Sequence, residues 1–425
     1  MEETILKIVT DFYLKSSDFN GMPLDTITGM LGNGDEAITA QVTDAVVRLI
    51  TEEKVTLTFS SIFVNPHIKA FADLPPLEQV ERLLKEASSS ICVYPTSQVV
   101  GSATDIGVYD DRPFTKRLLV GDPQLTPIYF DLHVLDTYYS DPRYLYSFND
   151  YDGSISVSDD YFESKQMPER DQTLLQTFGI GYDSDRNRVV VVFLRYLSDL
   201  SPEHQRIWHA HTHLDECRMV YEYYQNSILA EWADCLSVYQ AIMEEQKILN
   251  SLASLLRKPP LFRNTYDERP QGFSLLLRPT LKSYLEFIHL FDKMLSDNIS
   301  KEFFAGDVSL EDQLQRKDGR VEVRQKGTLT LLEEWLRKTV RFPDEEPYTA
   351  IMEPLREVRR IRQRPAHSVI RDNYDTDYIH QQDALVARVH NALAGLCIVL
   401  STHPQVKASG YALPDWLEEN KVKAY

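Results

Sequence analysis

Leu355-Arg356-Glu357-Val358-Arg359-Arg360-Ile361-Arg362-Gln363-Arg364-Pro365-Ala366-His367 is the stretch on which the reading of the C-terminal part turns. Six arginines fall between Arg356 and Arg371, and Glu357 is the one acid among them. On an unbroken helix, at about 100° per residue, Arg362 and His367 would stand roughly 140° apart around the axis and would not converge. Pro365 changes this. It removes a backbone donor and disfavours helix at Arg364, so a kink or stop is expected between Arg362 and His367, and the two can then face one cavity.

Outward from this stretch the pattern is helical from Pro279 to the C-terminus. Leu281, Tyr284, Leu285, Ile288, Phe291 and Leu295 make one apolar stripe; Leu331, Leu332, Trp335 and Leu336 a second; Leu385, Val386, Val389, Leu393, Leu396 and Leu400 a third. A polar insertion, Asp307 to Lys326, separates the first two. With Arg362 and His367 in an Arg-x4-His spacing, this part resembles the HEPN domains (higher eukaryotes and prokaryotes nucleotide-binding) over about Pro279 to Val422. Gln363 stands where catalytic members often carry Asn, Asp or His. The resemblance implies an all-α bundle, metal-independent RNA cleavage with no cofactor, and a homodimer that pairs two such motifs. It also suggests, by analogy, an effector in phage defence or a toxin. Catalysis would fall to Arg362, as the fork on the scissile phosphate, and to His367, as the acid or base. Arg359, Arg364 and Arg371 would hold neighbouring phosphates. The competing reading is a salt-bridged face, with Glu353 and Glu357 at helical spacing from the arginines and His367 capping a helix.

The first 72 residues read as a winged-helix-like module. Ile5, Leu6, Ile8, Val9, Phe12 and Tyr13 mark a first helix, Leu24 to Leu31 a second, and Val42, Val46, Leu49 and Ile50 a third, capped by Thr39. Val55 to Phe59 and Ile62 to Val64 are expected to pair as a hairpin. The third helix carries Asp44, Arg48, Glu52, Glu53 and Lys54 outside, a balance that suits a protein partner better than DNA.

Asp73-Leu74-Pro75-Pro76 reads as a linker to a mixed α+β middle domain, 77–275. It comprises a β-rich stretch from Ser90 to about Leu200, a helix opened by Ser201-Pro202-Glu203, and a long helical region, 214–256. Residues 276–425 complete an α+β multidomain chain as its helical domain.

His204, His209, His211 and His213 lie within ten residues, followed by Cys217. In an extended segment His209, His211 and His213 share a face suited to zinc; in a helix His209 and His213 align and His211 points away. The helical start favours the second geometry and a polar helix face, so no metal is assigned, and His209, His213 and Cys217 are the ligands that would serve. Asn149 to Gly153 reads as a strand-to-strand turn rather than a calcium loop, because Phe148 fills the first ligand position. Gly179-Ile180-Gly181 lacks the third glycine of a dinucleotide fingerprint.

The chain of 425 residues carries 45 Lys+Arg against 64 Asp+Glu, a net charge of −19, which argues against a non-specific nucleic-acid coat. The acid is uneven. Residues 276–425 hold 22 bases and 23 acids, net −1, and residues 1–275 the remaining −18. Four scattered cysteines suggest reduced thiols, and neither a membrane span nor a basic leader is seen, so a cytoplasmic protein with no membrane partner is expected. The function these features favour is a ribonuclease acting on RNA, restrained or recruited by its first two parts. The alternative is a non-catalytic regulator that contacts DNA or a protein through the N-terminal module.

Overall fold

The computed structural model describes residues 1–32, 35–164, 167–315, 321–363 and 371–425. Arg364 and His367 lie outside them. The protein is mixed α+β and divides into two compact units, Met1–Ser227 and Ile228–Tyr425.

The first unit opens with α1 (Glu2–Lys15), β1 (Met22–Pro23), α2 (Leu24–Gly32) and α3 (Glu36–Thr51). Asp35, rather than Thr39, caps α3 by accepting from the Ala37 amide at 2.8 Å. β2 (Val55–Phe59) does not turn back through Ile62 to Val64. Its partner is β3 (Ile91–Pro95), in the register Val55↔Pro95 to Phe59↔Ile91, and β1 covers the other edge of β3. The physical reason is burial: every residue of β3 is buried, whereas Val64 is 86% exposed. Ile5, Val9, Ile27, Val46, Leu49, Leu57 and Val93 close one core here, with Leu83 of α4 (Pro76–Leu83). The N-terminal part therefore extends to residue 95 instead of stopping at 72. It is also tied to the remainder of the first unit: the buried Tyr13 hydroxyl donates to the Leu118 carbonyl at 2.6 Å, and Arg195 pairs with Asp18 at 3.2 Å.

Beyond residue 95 the first unit is built on an antiparallel sheet in the order β4-β8-β7-β6-β5, made of β4 (Pro127–Asp131), β5 (Tyr144–Phe148), β6 (Asp152–Val157), β7 (Leu174–Asp183) and β8 (Arg188–Phe193). Asp183 to Asn187 join β7 to β8, and Asn149 to Gly153 turn β5 into β6. After β8 comes α5 (Pro202–Ala210), the helix that carries the first of the clustered histidines. The outer half of β7 takes a further strand, β9 (Cys217–Met219), with Gly181 opposite Met219. This pairing interrupts the long helical region expected over 214–256. A Cβ at Gly181 would lie 2.7 Å from the Arg218 carbonyl oxygen, and one at Gly179 would meet the Tyr223 ring, so both glycines serve close packing.

The second unit is built on α6 (Val238–Leu255), α7 (Leu281–Met294), α8 (Thr328–Thr339), α9 (Glu346–Gln363) and α10 (Asp377–Ser401). α10 packs against α6 and α9, and α9 against α7. α6 and the segment after it, with Leu261, Phe262 and Phe273, bury themselves in the same core as Phe291, Trp335, Leu355 and Leu393. The middle-domain boundary at 275 is thus displaced: residues 228–275 belong with the C-terminal helices. The polar insertion is a two-stranded ribbon, Glu311–Gln315 with Val321–Gln325. Among the described residues one helix, α10, is long and apolar enough to cross a membrane; half of its apolar window is buried in this core, as in the central helix of a bundle.

Candidate functional site

The last turns of α9 carry Arg359 and Arg362 toward α7. Tyr284, Phe287, Ile288 and Phe291 bury one face of α7, and Asp292 on the same face has no exposed surface. Its two carboxylate oxygens are divided. Oδ1 accepts from the Ser296 hydroxyl, and Oδ2 accepts from Arg359 at 2.9 Å and from Arg362. Asp297, just past α7, takes both guanidinium groups a second time, Arg362 at 2.5 Å. Burial alone would raise the carboxyl of Asp297, but hydrogen bonds from Arg359 and Arg362 outweigh it and hold the group below its ordinary range. The hydrogen bond to Asp292 raises Arg362.

The surrounding arginines are paired as well. Arg356 meets Glu333 of α8, Arg360 meets Glu353 at 3.2 Å, and Glu357 meets Arg388 of α10 at 2.7 Å. Glu357 is therefore not the only acid opposing the cluster: Glu353 stands on α9 itself, and Glu333, Asp292 and Asp297 come from other parts of the fold. Arg371 is exposed. Arg362 and Arg359 are brought together; Arg364 and His367 fall outside the described residues.

The histidine segment resolves differently from either sequence alternative. Ser201 caps α5, accepting from the His204 amide at 3.4 Å. His204 is a core residue, its Nδ1 at 2.7 Å from the Tyr138 hydroxyl. His209 lies edge-on to Phe114. The helix stops at Ala210, and Thr212 bridges to Phe130 beside β4: the Asp131 amide donates to the His211 carbonyl at 3.0 Å, and the His213 amide to the Tyr129 carbonyl at 2.8 Å. His211 and His213 consequently flank Asp131, as alternate residues of an extended strand do. His213 Nδ1 lies 3.0 Å from Asp131 Oδ1. His211 reaches His133, the rings 4.5 Å apart and edge to face. Ligand atoms of Asp131, His133 and His211 all lie within 4.8 Å of one another, the one such cluster among the described residues. The grouping of His209, His213 and Cys217 fails because no helix continues past Ala210 to align the first two. Burial and the carboxylates of Asp183 and Asp215 raise the Cys217 thiol, which disfavours its thiolate.

A third feature carries no signal in the sequence. Glu245 of α6 and His390 of α10, both buried, face each other with Oε1 and Nδ1 2.7 Å apart but without hydrogen-bond angles. Burial pushes Glu245 up to about 7 against the opposing pull of His390. Neither residue stands in a motif; only the packing of α6 on α10 brings them together.

Comparison with known proteins returns no matching family model, curated protein or solved structure.

Proposed function

We propose that the chain is a metal-independent, HEPN-like ribonuclease centred on Arg362. The observation that supports this reading is the state of that side chain: it sits on the last turn of α9, 27% exposed, fixed by the carboxylates of Asp292 and Asp297, five residues before His367 in sequence. A guanidinium oriented in this way can exchange a carboxylate for a phosphate oxygen and stabilise charge as the ester breaks. His367 would move the proton of the 2′-hydroxyl or of the leaving oxygen. Arg359 and Arg371 would take flanking phosphates, with Arg364 between them in sequence. Pairing of two copies would complete the site, and the reading carries with it a cytoplasmic location and a role in defence or as a toxin.

The N-terminal part would recruit or restrain this activity as a winged-helix-like module. Its support is the order α1, β1, α2, α3, β2, α4, β3, in which α4 stands between the two longer strands, and the sheet order β1-β3-β2. On α3, Arg48 is engaged by Glu2 at 3.0 Å, which favours a protein partner over DNA.

A second reading, a non-catalytic bundle serving a regulator, is favoured by the carboxylate partners on Arg356, Arg359, Arg360 and Arg362. The two separate on one assay. Purified full-length protein is expected to cleave single-stranded RNA in EDTA, and His367→Ala and Arg362→Ala to abolish cleavage while leaving the circular dichroism spectrum unchanged. Cleavage indifferent to His367→Ala, or RNA left intact at every protein concentration, overturns the first reading in favour of the second.

A further inference from the structure

We propose that Asp131, His133 and His211 bind one first-row divalent metal ion of the zinc class, with His213 positioning Asp131. Two imidazoles and a carboxylate suit such a cation, and three protein ligands leave coordination positions for water or a small ligand.

The three side chains stand on anchored backbone. Asp131 ends β4, where it pairs with Val189 of β8 on one side and with the His211 carbonyl on the other. His133 lies in the turn Leu132–Leu135, whose Leu132, Val134 and Leu135 are all buried, so the turn is pinned and its one outward position is the histidine. His211 is held by the bridge between Thr212 and Phe130. The spread of 4.8 Å among the ligand atoms is wider than the roughly 3.4 Å separating ligands at about 2.1 Å in a tetrahedron, a gap that side-chain rotation can close. Asp131 keeps one oxygen on His213 and offers the other, the arrangement by which an outer residue orients a ligand. His213 Nε2 is itself buried without a hydrogen bond, 3.4 Å from Asp215 and 3.9 Å from Asp183, carboxylates that add negative potential beside the cluster.

The site belongs to the first unit and does not depend on the ribonuclease reading, whose reaction proceeds in EDTA. The test is titration of the EDTA-stripped, dialysed full chain with zinc by calorimetry, and with cobalt(II) followed by its visible ligand-field bands. One equivalent of each metal is expected. His133→Ala, which alters an exposed position, and His211→Ala should each weaken binding by about 100-fold, and His213→Ala by about 10-fold. His209→Ala, on the Phe114 side, should bind as the parent does. Uptake below stoichiometry, or affinity unchanged in both His133→Ala and His211→Ala, overturns the assignment.

Discussion

Replacing Asp292 by alanine tests whether the arginine cluster is held from within the bundle. The side chain has no exposed surface and accepts from Ser296, Arg359 and Arg362. Its loss leaves the buried Ser296 hydroxyl without that acceptor and two cations with half their anchorage. Removing one member of a buried ion pair costs about 3–5 kcal/mol. Here Arg359 and Arg362 are 36% and 27% exposed and keep Asp297, so the lower end, about 3 kcal/mol, applies. For a unit of this size that is a fall in melting temperature of roughly 6–12 °C. Differential scanning calorimetry suits the measurement, because two units can melt in separate transitions. The comparison variant is Asp297→Ala: that carboxylate is 35% exposed, and its removal should cost about 1 kcal/mol or less. Since the arginines hold Asp297 below the ordinary carboxylate range, its contribution is present at neutral pH and disappears as pH falls through the depressed value. A Tm for Asp292→Ala no lower than that of Asp297→Ala would refute the claim that the buried carboxylate is the anchor.

Other contacts lead to further outcomes. Glu245 is raised to about 7, so the folded state holds its proton more tightly than the unfolded chain does; stability should fall as pH climbs from about 4.5 to about 7, then level off. Glu245→Gln should remove that slope from denaturant midpoints measured across the range, and a parallel profile in the variant would contradict it. Gly181→Ala places a methyl 2.7 Å from the Arg218 carbonyl and should cost about 1–3 kcal/mol in urea unfolding of the first unit, whereas an unchanged midpoint would mean that β9 yields freely.

Much of the secondary structure is legible from local pattern. The stripes of α7, α8 and α10, the Ser201-Pro202-Glu203 start of α5 and the turn at Asp183 to Asn187 all depend on residues within a few positions of one another. The partner of β2 is not legible in that way, because alternation at Val55 to Phe59 marks a strand without naming what it pairs with, and β3 supplies deeper burial than Ile62 to Val64 from over thirty residues away.

The candidate sites divide along the same line. The sequence by itself determined that arginines crowd the end of α9 and that histidines crowd the end of α5, since both are runs of adjacent residues. Only the tertiary structure decided their company. Asp292 and Asp297 come to Arg362 from about seventy residues upstream, and Asp131 and His133 come to His211 from about eighty. Charge pairing and ligand geometry act through space over a few ångströms, and the packing of α7 against α9 and the bridge from Thr212 to Phe130 of β4 set which residues fall within that range.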